Sequence, residues 1–254
     1  AASLPARPPP IIWMSCVIAD PHLVLAPTLY QGNRRAMKKR ALIDHRPYLL
    51  LSLLFAISYY FAMDGKVGGT WLALWKGAGV GFLAAYAGHR AKGQGGTVIA
   101  LVMGLGAIAD VVLEFSFLAG GFVFAIGHSV AIWLYLTNRR NAASVTQKAA
   151  GLALLVLTPV IAAMLTYPLE NWILATIYAL VLGAMAGAAW VSQFPRYRVG
   201  LGAALFVMSD IIIFARESAH VSPALAEWLV WPLYYSGQFL IVTGVVQTLR
   251  RRHI

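Results

Sequence analysis

The sequence predicts an all-α, polytopic membrane protein: a bundle of eight transmembrane helices with both termini in the cytoplasm. Two features of composition and one pattern support this prediction. Of the 254 residues, 60% are hydrophobic and only 11% are charged, whereas a soluble domain is about half apolar and about a quarter charged. The mean hydropathy is +0.72. From residue 47 onward, apolar stretches long enough to span a bilayer alternate with short polar connections.

Each apolar stretch supplies roughly the 20 residues that a helix needs to cross the hydrocarbon core. The eight stretches are 47–63, 71–89, 97–114, 117–137, 149–167, 169–193, 199–215 and 226–248. The connections carry most of the charge, and none is long enough for a soluble domain. We therefore expect residues 37–254 to form one membrane domain.

The basic residues predict the orientation of this bundle. Fourteen of them flank the stretches on one side: Lys38, Lys39, Arg40, Arg46, Arg90, Lys92, Arg139, Arg140, Lys148, Arg196, Arg198, Arg250, Arg251 and Arg252. The opposite loops hold only Lys66 and Arg216. Because cytoplasmic loops carry the excess of lysine and arginine, both termini are predicted to be cytoplasmic. The charge is spread over five short segments and forms no single basic face, so no nucleic-acid partner is expected.

Residues 1–36 do not fit the helical pattern. Their apolar run, 11–25, is interrupted by Asp20 and Pro21, which are costly inside a bilayer. A signal peptide is an alternative, although its apolar core would be only about nine residues long. We expect a peripheral extension outside the fold, with the membrane domain beginning near Met37.

Ionisable side chains inside spanning helices are functional candidates by default, because burying them is expensive. Asp110 and Asp210 lie beyond the midpoints of the third and seventh stretches, towards the non-cytoplasmic side. Glu114 follows Asp110 by four residues and shares its helix face, but it lies near the helix end. Further polar candidates at similar or central depth are Lys76, His128, Tyr178, Tyr234, Tyr235 and Gln238. If these faces converge, they form one polar cluster at mid-to-outer depth.

Several of these side chains also have a purely structural interpretation. Lys76 can extend to the interface, and His128 and Gln238 can hydrogen bond between helices. The tyrosines of the last helix can serve in packing alone. The single Cys16 excludes an internal disulfide and any multi-cysteine metal site. His-x-x-x-His pairs are absent as well, so no metal is expected.

The third and seventh stretches are weakly similar to each other. One contains Gly106-Ala-Ile-Ala-Asp110, and the other contains Ala204-Leu-Phe-Val-Met-Ser-Asp210. Both helices run in the same direction, and they would correspond in a parallel duplication of four helices. The two aspartates would then occupy matching positions.

Several motifs in this order and spacing resemble the YhhN family of membrane proteins. They are Ala109-Asp110-Val-Val-Leu113, Phe117-Leu-Ala-Gly-Gly-Phe-Val-Phe124, Gly127-His128, Gly202-Ala-Ala-Leu-Phe206-Val-Met-Ser209-Asp210 and Pro232-Leu-Tyr-Tyr235-Ser-Gly-Gln238. Lys76 and Tyr178 also match family positions, and the resemblance spans residues 38–250. The chain departs from the family pattern at Gly77, Ala109 and Ala131, where proline, glycine and tyrosine are expected.

Members of that family with known activity are lysoplasmalogenases. The resemblance therefore implies hydrolysis of the vinyl-ether bond of a lysoplasmenyl phospholipid taken from the bilayer. The products would be a fatty aldehyde and glycerophosphoethanolamine or glycerophosphocholine, and no cofactor is implied. Asp110 and Asp210 would be the catalytic pair. The substrate-binding residues would be Lys76, His128, Tyr178, Tyr235 and Gln238.

The chemistry of a vinyl ether suits two carboxyl groups. Protonation of its β-carbon gives an oxocarbenium ion, which water captures to form a hemiacetal that collapses to aldehyde and alcohol. The enzyme needs a proton donor and a negative or basic group beside the cation, and two carboxyl groups in different surroundings can divide these roles, as in glycosidases. Which aspartate is the acid stays open at this point. Lys76 and a tyrosine would hold the phosphate.

Two other classes of protein compete with a hydrolase. A proton-coupled transporter also uses buried carboxylates and histidine as proton relays, but transporters of this kind have proline-broken helices at mid-membrane, for which Pro159 is the main candidate. A retinal-type receptor needs a Schiff-base lysine deep in the bundle; the last helix has no lysine, and Lys76 lies near an edge. In every case we expect a multi-pass integral membrane protein, in the inner or plasma membrane if the source is bacterial, with membrane lipids as partners.

Overall fold

The computed structural model describes residues 46–63, 68–167 and 169–252, and the predicted extension of residues 1–36 lies outside them. Within the described residues the chain forms eight α-helices: α1 (Pro47–Ala62), α2 (Thr70–Arg90), α3 (Gly93–Leu113), α4 (Phe117–Thr137), α5 (Val145–Thr166), α6 (Trp172–Val191), α7 (Leu201–Glu217) and α8 (Pro223–Arg252). A π-helical turn (Arg196–Gly200) leads directly into α7. These residues contain no named β-strand, so the all-α fold class is confirmed for them.

Six of these helices, α3 to α8, are long and apolar enough to cross a membrane when α7 is taken together with its π-helical turn. Helix α1 is apolar but has only 16 residues, and α2 carries Lys76 within its length. Large apolar side chains cover the outside of the bundle; Phe61 and Trp71 are each 76% exposed. Such a surface is stable only against lipid, so the protein is a multi-pass integral membrane protein.

Polar caps set the starts of two helices, and one of these starts differs from that of the apolar stretch. Helix α5 begins at Val145, four residues before the predicted stretch, because Ser144 and Gln147 form a reciprocal capping box. Helix α4 begins at the predicted residue, and the Ser116 side chain accepts a hydrogen bond from the Ala119 N–H at its start. The helices therefore extend into their polar flanks beyond the apolar stretches.

The close approach of α7 and α8 depends on two facing glycines. A Cβ atom placed on Gly202 or on Gly237 would lie 2.7 Å from the carbonyl oxygen of the other. Small residues that let backbones approach in this way are the usual basis of helix packing in membranes. This contact fixes the register between the segment of α7 that carries Asp210 and the segment of α8 that carries Tyr234.

The basic segments meet at one end of the bundle. Arg252 donates hydrogen bonds to Asn138 Oδ1 (2.6 Å) and to Gln193 Oε1 (2.9 Å), which joins the end of α8 to the α4–α5 and α6–α7 connections. At the same end, Arg90 lies within electrostatic reach of both Arg46 and Arg250. Each odd-numbered helix consequently starts at the basic end, and each even-numbered helix finishes there.

Candidate active site

Asp110 lies on the inward face of α3 and is 2% exposed. The hydroxyl group of Tyr234 on α8 donates a hydrogen bond of 2.7 Å to its Oδ2 atom. Gln238, one turn further along α8, donates from Nε2 to the Tyr234 hydroxyl oxygen at 3.3 Å. The spacing of four residues puts Tyr234 and Gln238 on one face of α8, so the three side chains form a chain of hydrogen bonds that ends on a carboxyl group.

Asp210 has a similar arrangement on α7, where it is 7% exposed. The Tyr178 hydroxyl group on α6 donates a hydrogen bond of 2.6 Å to its Oδ2 atom. His128 Nε2 on α4 lies 3.3 Å from the Tyr178 oxygen. Because Tyr178 gives its own proton to Asp210, we assign the proton of this second contact to His128 Nε2. Two parallel chains thus end on two buried carboxyl groups.

Aromatic rings fill the space between the two chains. The Phe206 ring centre lies 4.9 Å from that of His128 and 5.0 Å from that of Tyr234. Phe124 packs edge-on against both Phe206 and Tyr234, with ring centres 5.8 Å apart in each case. Both carboxyl groups lie close enough to act electrostatically on each of the two tyrosines. The site is therefore one compact interior cluster with little room for bulk water.

The surroundings of the two aspartates differ in one nearby charged group, the ammonium group of Lys76. Lys76 Nζ on α2 lies 2.7 Å from Glu114 Oε1 at the end of α3, and the two side chains are 18% and 41% exposed. The ammonium group of Lys76 is also close enough to Asp110 to attract its carboxylate. No lysine or arginine in the described part of the chain forms an ion pair with Asp210. Asp110 thus has a neighbouring cation, and Asp210 has a neutral, aromatic environment.

Tyr235 lies apart from these chains. Its hydroxyl group is 2.7 Å from Ser52 Oγ on α1, and Ser52 in turn donates to the Gly79 carbonyl oxygen on α2. The ring of Trp231 packs against both neighbouring tyrosines of α8, with its centre 5.7 Å from Tyr234 and 5.8 Å from Tyr235. Of the seven side chains selected from the sequence, the structure brings Asp110, Asp210, His128, Tyr178 and Gln238 together and adds Lys76 at their edge. Tyr235 takes part instead in the separate hydrogen bond with Ser52.

Sequence reasoning named Tyr234 as part of the cluster but selected Tyr235 for the substrate. A helical signal distinguishes the two: Tyr234 and Gln238 are four residues apart and share a face, whereas Tyr235 is rotated by about 100° from Tyr234. The roles of Phe124 and Phe206 were not predicted at all. Both lie in the motifs that carry the family resemblance, and each is four residues from a cluster residue, Phe124 from His128 and Phe206 from Asp210.

A shallow groove of about 510 Å³ also follows the lipid-facing side of α4. Its lining is apolar except for Ser129, whose hydroxyl group donates to its own helix at Ala125. This groove therefore offers acyl chains a surface and offers no chemistry. Among the described residues, no three His, Cys, Asp or Glu side chains are grouped in a way that would hold a metal ion.

The fold and this cluster define a class: an α-helical, multi-pass membrane protein whose interior holds two carboxyl groups, each hydrogen bonded by a tyrosine. Residues 71–245 match the family model described as "YhhN family". The chain belongs to the YhhN family, and the resemblance noted in its sequence is confirmed. No curated protein and no solved structure matches the chain.

Proposed function

We propose that the protein is a lysoplasmalogenase-like hydrolase that cleaves the vinyl-ether bond of lysoplasmenyl phospholipids. The observation that carries the proposal is the pair of buried aspartates, Asp110 and Asp210, which reach one interior cluster from two helices. Each aspartate accepts a hydrogen bond from a tyrosine hydroxyl group at Oδ2, so its Oδ1 atom is available to a substrate. Two carboxyl groups in unlike surroundings can serve as acid and base in one reaction.

The electrostatic difference between the aspartates assigns their roles in this proposal. Asp210, with no cation beside it, is the neutral acid and gives its proton to the β-carbon of the vinyl ether. Asp110, beside Lys76, is the carboxylate that stabilises the oxocarbenium ion formed at the neighbouring carbon. Water then adds to that carbon and gives a proton to Asp110, which produces a hemiacetal.

Collapse of the hemiacetal restores both groups. The carbon–oxygen bond to glycerol breaks, Asp110 returns its proton to the leaving oxygen, and the hemiacetal hydroxyl gives its proton to Asp210. One water molecule is consumed, and aldehyde and alcohol are released. A side chain that transfers protons in this way contributes about 10²–10⁴-fold to the rate.

The remaining polar residues would bind the substrate. Lys76 lies at the outer edge of the cluster and would contact the phosphate, with Glu114 limiting its movement. His128 and Gln238 hold the two tyrosine hydroxyls in place. Tyr178 is half-buried, so its side of the bundle is where a single-chain lipid would reach Asp210 sideways from the bilayer.

The proposed topology is eight spans with both termini in the cytoplasm, in a bacterial inner membrane or a plasma membrane. The meeting of the basic segments at one end of the bundle supports it. Reporter fusions after Arg252 and in the 64–70 loop test it. We expect the first to report the cytoplasm and the second the opposite side, and a C-terminal fusion that reports the outside would overturn the topology.

The reaction is tested with purified protein in detergent and a lysoplasmenyl lipid, by measuring aldehyde release. The matched control lipid has the same chain in a saturated ether linkage, which cannot be protonated to an oxocarbenium ion. We expect aldehyde from the first lipid and none from the second. A proton-coupled transporter, the second interpretation of the sequence, would release no aldehyde and would acidify vesicles when its solute is supplied.

A further inference from the structure

A small internal cavity lies next to the cluster, on the side of the basic end. The volume in which the centre of a water molecule fits is about 20 Å³. Helices α3, α4, α6, α7 and α8 all contribute to the cavity wall. Three lining residues are each one helical turn from a member of the cluster, on the side of the basic end: Gly106 from Asp110, Phe206 from Asp210, and Gln238 from Tyr234. His128 and Gln238 also line it, so the cavity begins at the cluster and extends about one helical turn towards the basic end.

Tyr135 on α4 forms part of this wall and takes no part in the two hydrogen-bond chains. It is 1% exposed, and its hydroxyl group has no hydrogen-bond partner among the described residues. A buried polar group without a partner is strongly destabilising, and native structures rarely keep one. Ala131, four residues earlier on the same helix face, also lines the cavity and has a small side chain.

The cavity has the size and the polar groups that a bound water requires. A buried water needs about 10–15 Å³ of such space and two to four polar partners. Besides Tyr135, the wall includes Gln238 and His128. Gln238 uses its amide nitrogen and His128 uses one ring nitrogen in the hydrogen bonds to the two tyrosines, which leaves the Gln238 carbonyl oxygen and the second ring nitrogen of His128 available.

We infer that this cavity is a water-binding site, in which the Tyr135 hydroxyl group and the free polar atoms of Gln238 and His128 hold one water molecule next to the cluster that contains the two aspartates. The inference rests on the proposed function for its consequence: this water is the molecule that captures the oxocarbenium ion. Aromatic rings exclude bulk solvent from the cluster, so a hydrolase built in this way needs a stored water within reach of the reacting carbon. Tyr135 is then a positioning residue.

Stability tests the water site without any assumption about activity. Tyr135→Phe removes only the hydroxyl group, and Ala131→Val fills the cavity with two methyl groups. If water is bound, Ala131→Val displaces it and leaves Tyr135 without a partner, so the melting temperature in detergent falls by about 2–4 °C. Adding Tyr135→Phe to Ala131→Val then restores much of that loss. If the cavity is dry, each single change raises the melting temperature, and that result overturns the inference.

Activity tests the use of the water. We expect Tyr135→Phe to lower kcat for the lysoplasmenyl lipid about tenfold, the upper range for one lost hydrogen bond, and to leave KM unchanged. Tyr86→Phe, which alters an equally buried tyrosine outside the cavity, is the matched control and should keep the wild-type kcat. Unchanged kcat in Tyr135→Phe would contradict the catalytic use of this water. If wild-type protein releases no aldehyde, the proposed function fails, and the melting temperatures still decide whether water is bound.

Discussion

Replacing Asp210 by asparagine should abolish most of the proposed activity and leave the bundle folded. The asparagine side chain would have the same shape as the aspartate, and its carbonyl oxygen would still accept the 2.6 Å hydrogen bond from Tyr178. No cavity and no unpaired charge is created, so we expect the free energy of unfolding to change by about 1 kcal/mol or less. The amide cannot donate a proton to carbon. The rate should fall by about 10²–10⁴-fold, which corresponds to about 3–5 kcal/mol of transition-state stabilisation.

The assay is aldehyde release by purified protein, with melting temperature measured on the same sample. Glu114→Gln is the matched control, because it makes the same chemical change at a carboxyl group whose side chain is 41% exposed. Exposed ion pairs contribute about 0–1 kcal/mol, so its rate should change by less than about fivefold. A folded Asp210→Asn protein with near-normal turnover would refute the role of Asp210. Unfolding of Asp210→Asn would instead indicate a structural role.

Three further changes probe the site and its support. Tyr178→Phe should lower kcat about three- to tenfold, because its carboxyl partner loses one hydrogen bond, and single-turnover aldehyde release measures this. Gly202→Val should destabilise the protein by about 1–3 kcal/mol or prevent folding, because its Cβ meets the Gly237 carbonyl oxygen; Gly104→Ala, whose Cβ meets nothing within 4 Å, should melt at or above the wild-type temperature. A chain beginning at Met37 should insert and hydrolyse the lipid at the full rate, and a loss of folded protein would show that the preceding residues belong to the bundle.

The helices could be predicted from sequence because the bilayer imposes one simple rule. Each spanning segment must be long, apolar and internally hydrogen bonded, so hydropathy located every helix of the described residues. The ends were less accurate where polar capping set them, as at Ser144, since a capping box adds helix outside the apolar stretch. Whether the short α1 and the lysine-bearing α2 cross the membrane depends on their lipid surroundings and stays a prediction.

Only part of the site could be predicted. The sequence indicates how deep in the membrane each residue lies, but it says less about the direction in which each helix face points. Asp110, Asp210 and His128 were expected to converge from their shared depth, and the structure places them in one cluster. The pairing of Lys76 with Glu114 was missed, since it depends on how α2 turns towards α3. No sequence pattern indicated the roles of the cavity-lining residues or of the aromatic rings in the cluster. These roles depend on how α3, α4, α6, α7 and α8 pack against one another.

The two segments that the sequence shows to be weakly similar each pack a glycine of the following helix eight residues before their aspartate. In α7 and α8, Gly237 packs on the backbone at Gly202, eight residues before Asp210. In α3 and α4 the approach is looser: a Cβ on Gly127 would lie 3.4 Å from Leu105 Cβ and 3.9 Å from the carbonyl oxygen of Val102, eight residues before Asp110. The residue after each of these packing glycines, His128 or Gln238, is the nitrogen donor of a hydrogen-bond chain.

Differences between the two halves explain why two related aspartates have unlike surroundings. Tyr234 precedes Gln238 by four residues and donates to Asp110. The matching position before His128 is Phe124, which has no hydroxyl group to donate. Asp210 takes its hydrogen bond from Tyr178 on α6 instead, whereas the corresponding helix α2 supplies Asp110 with the charge of Lys76. A repeated framework would give the two carboxyl groups equivalent surroundings, and Phe124 and Lys76 break that equivalence. In the proposed function the result is a neutral Asp210 and a charged Asp110, the asymmetry that acid–base catalysis by two aspartates requires.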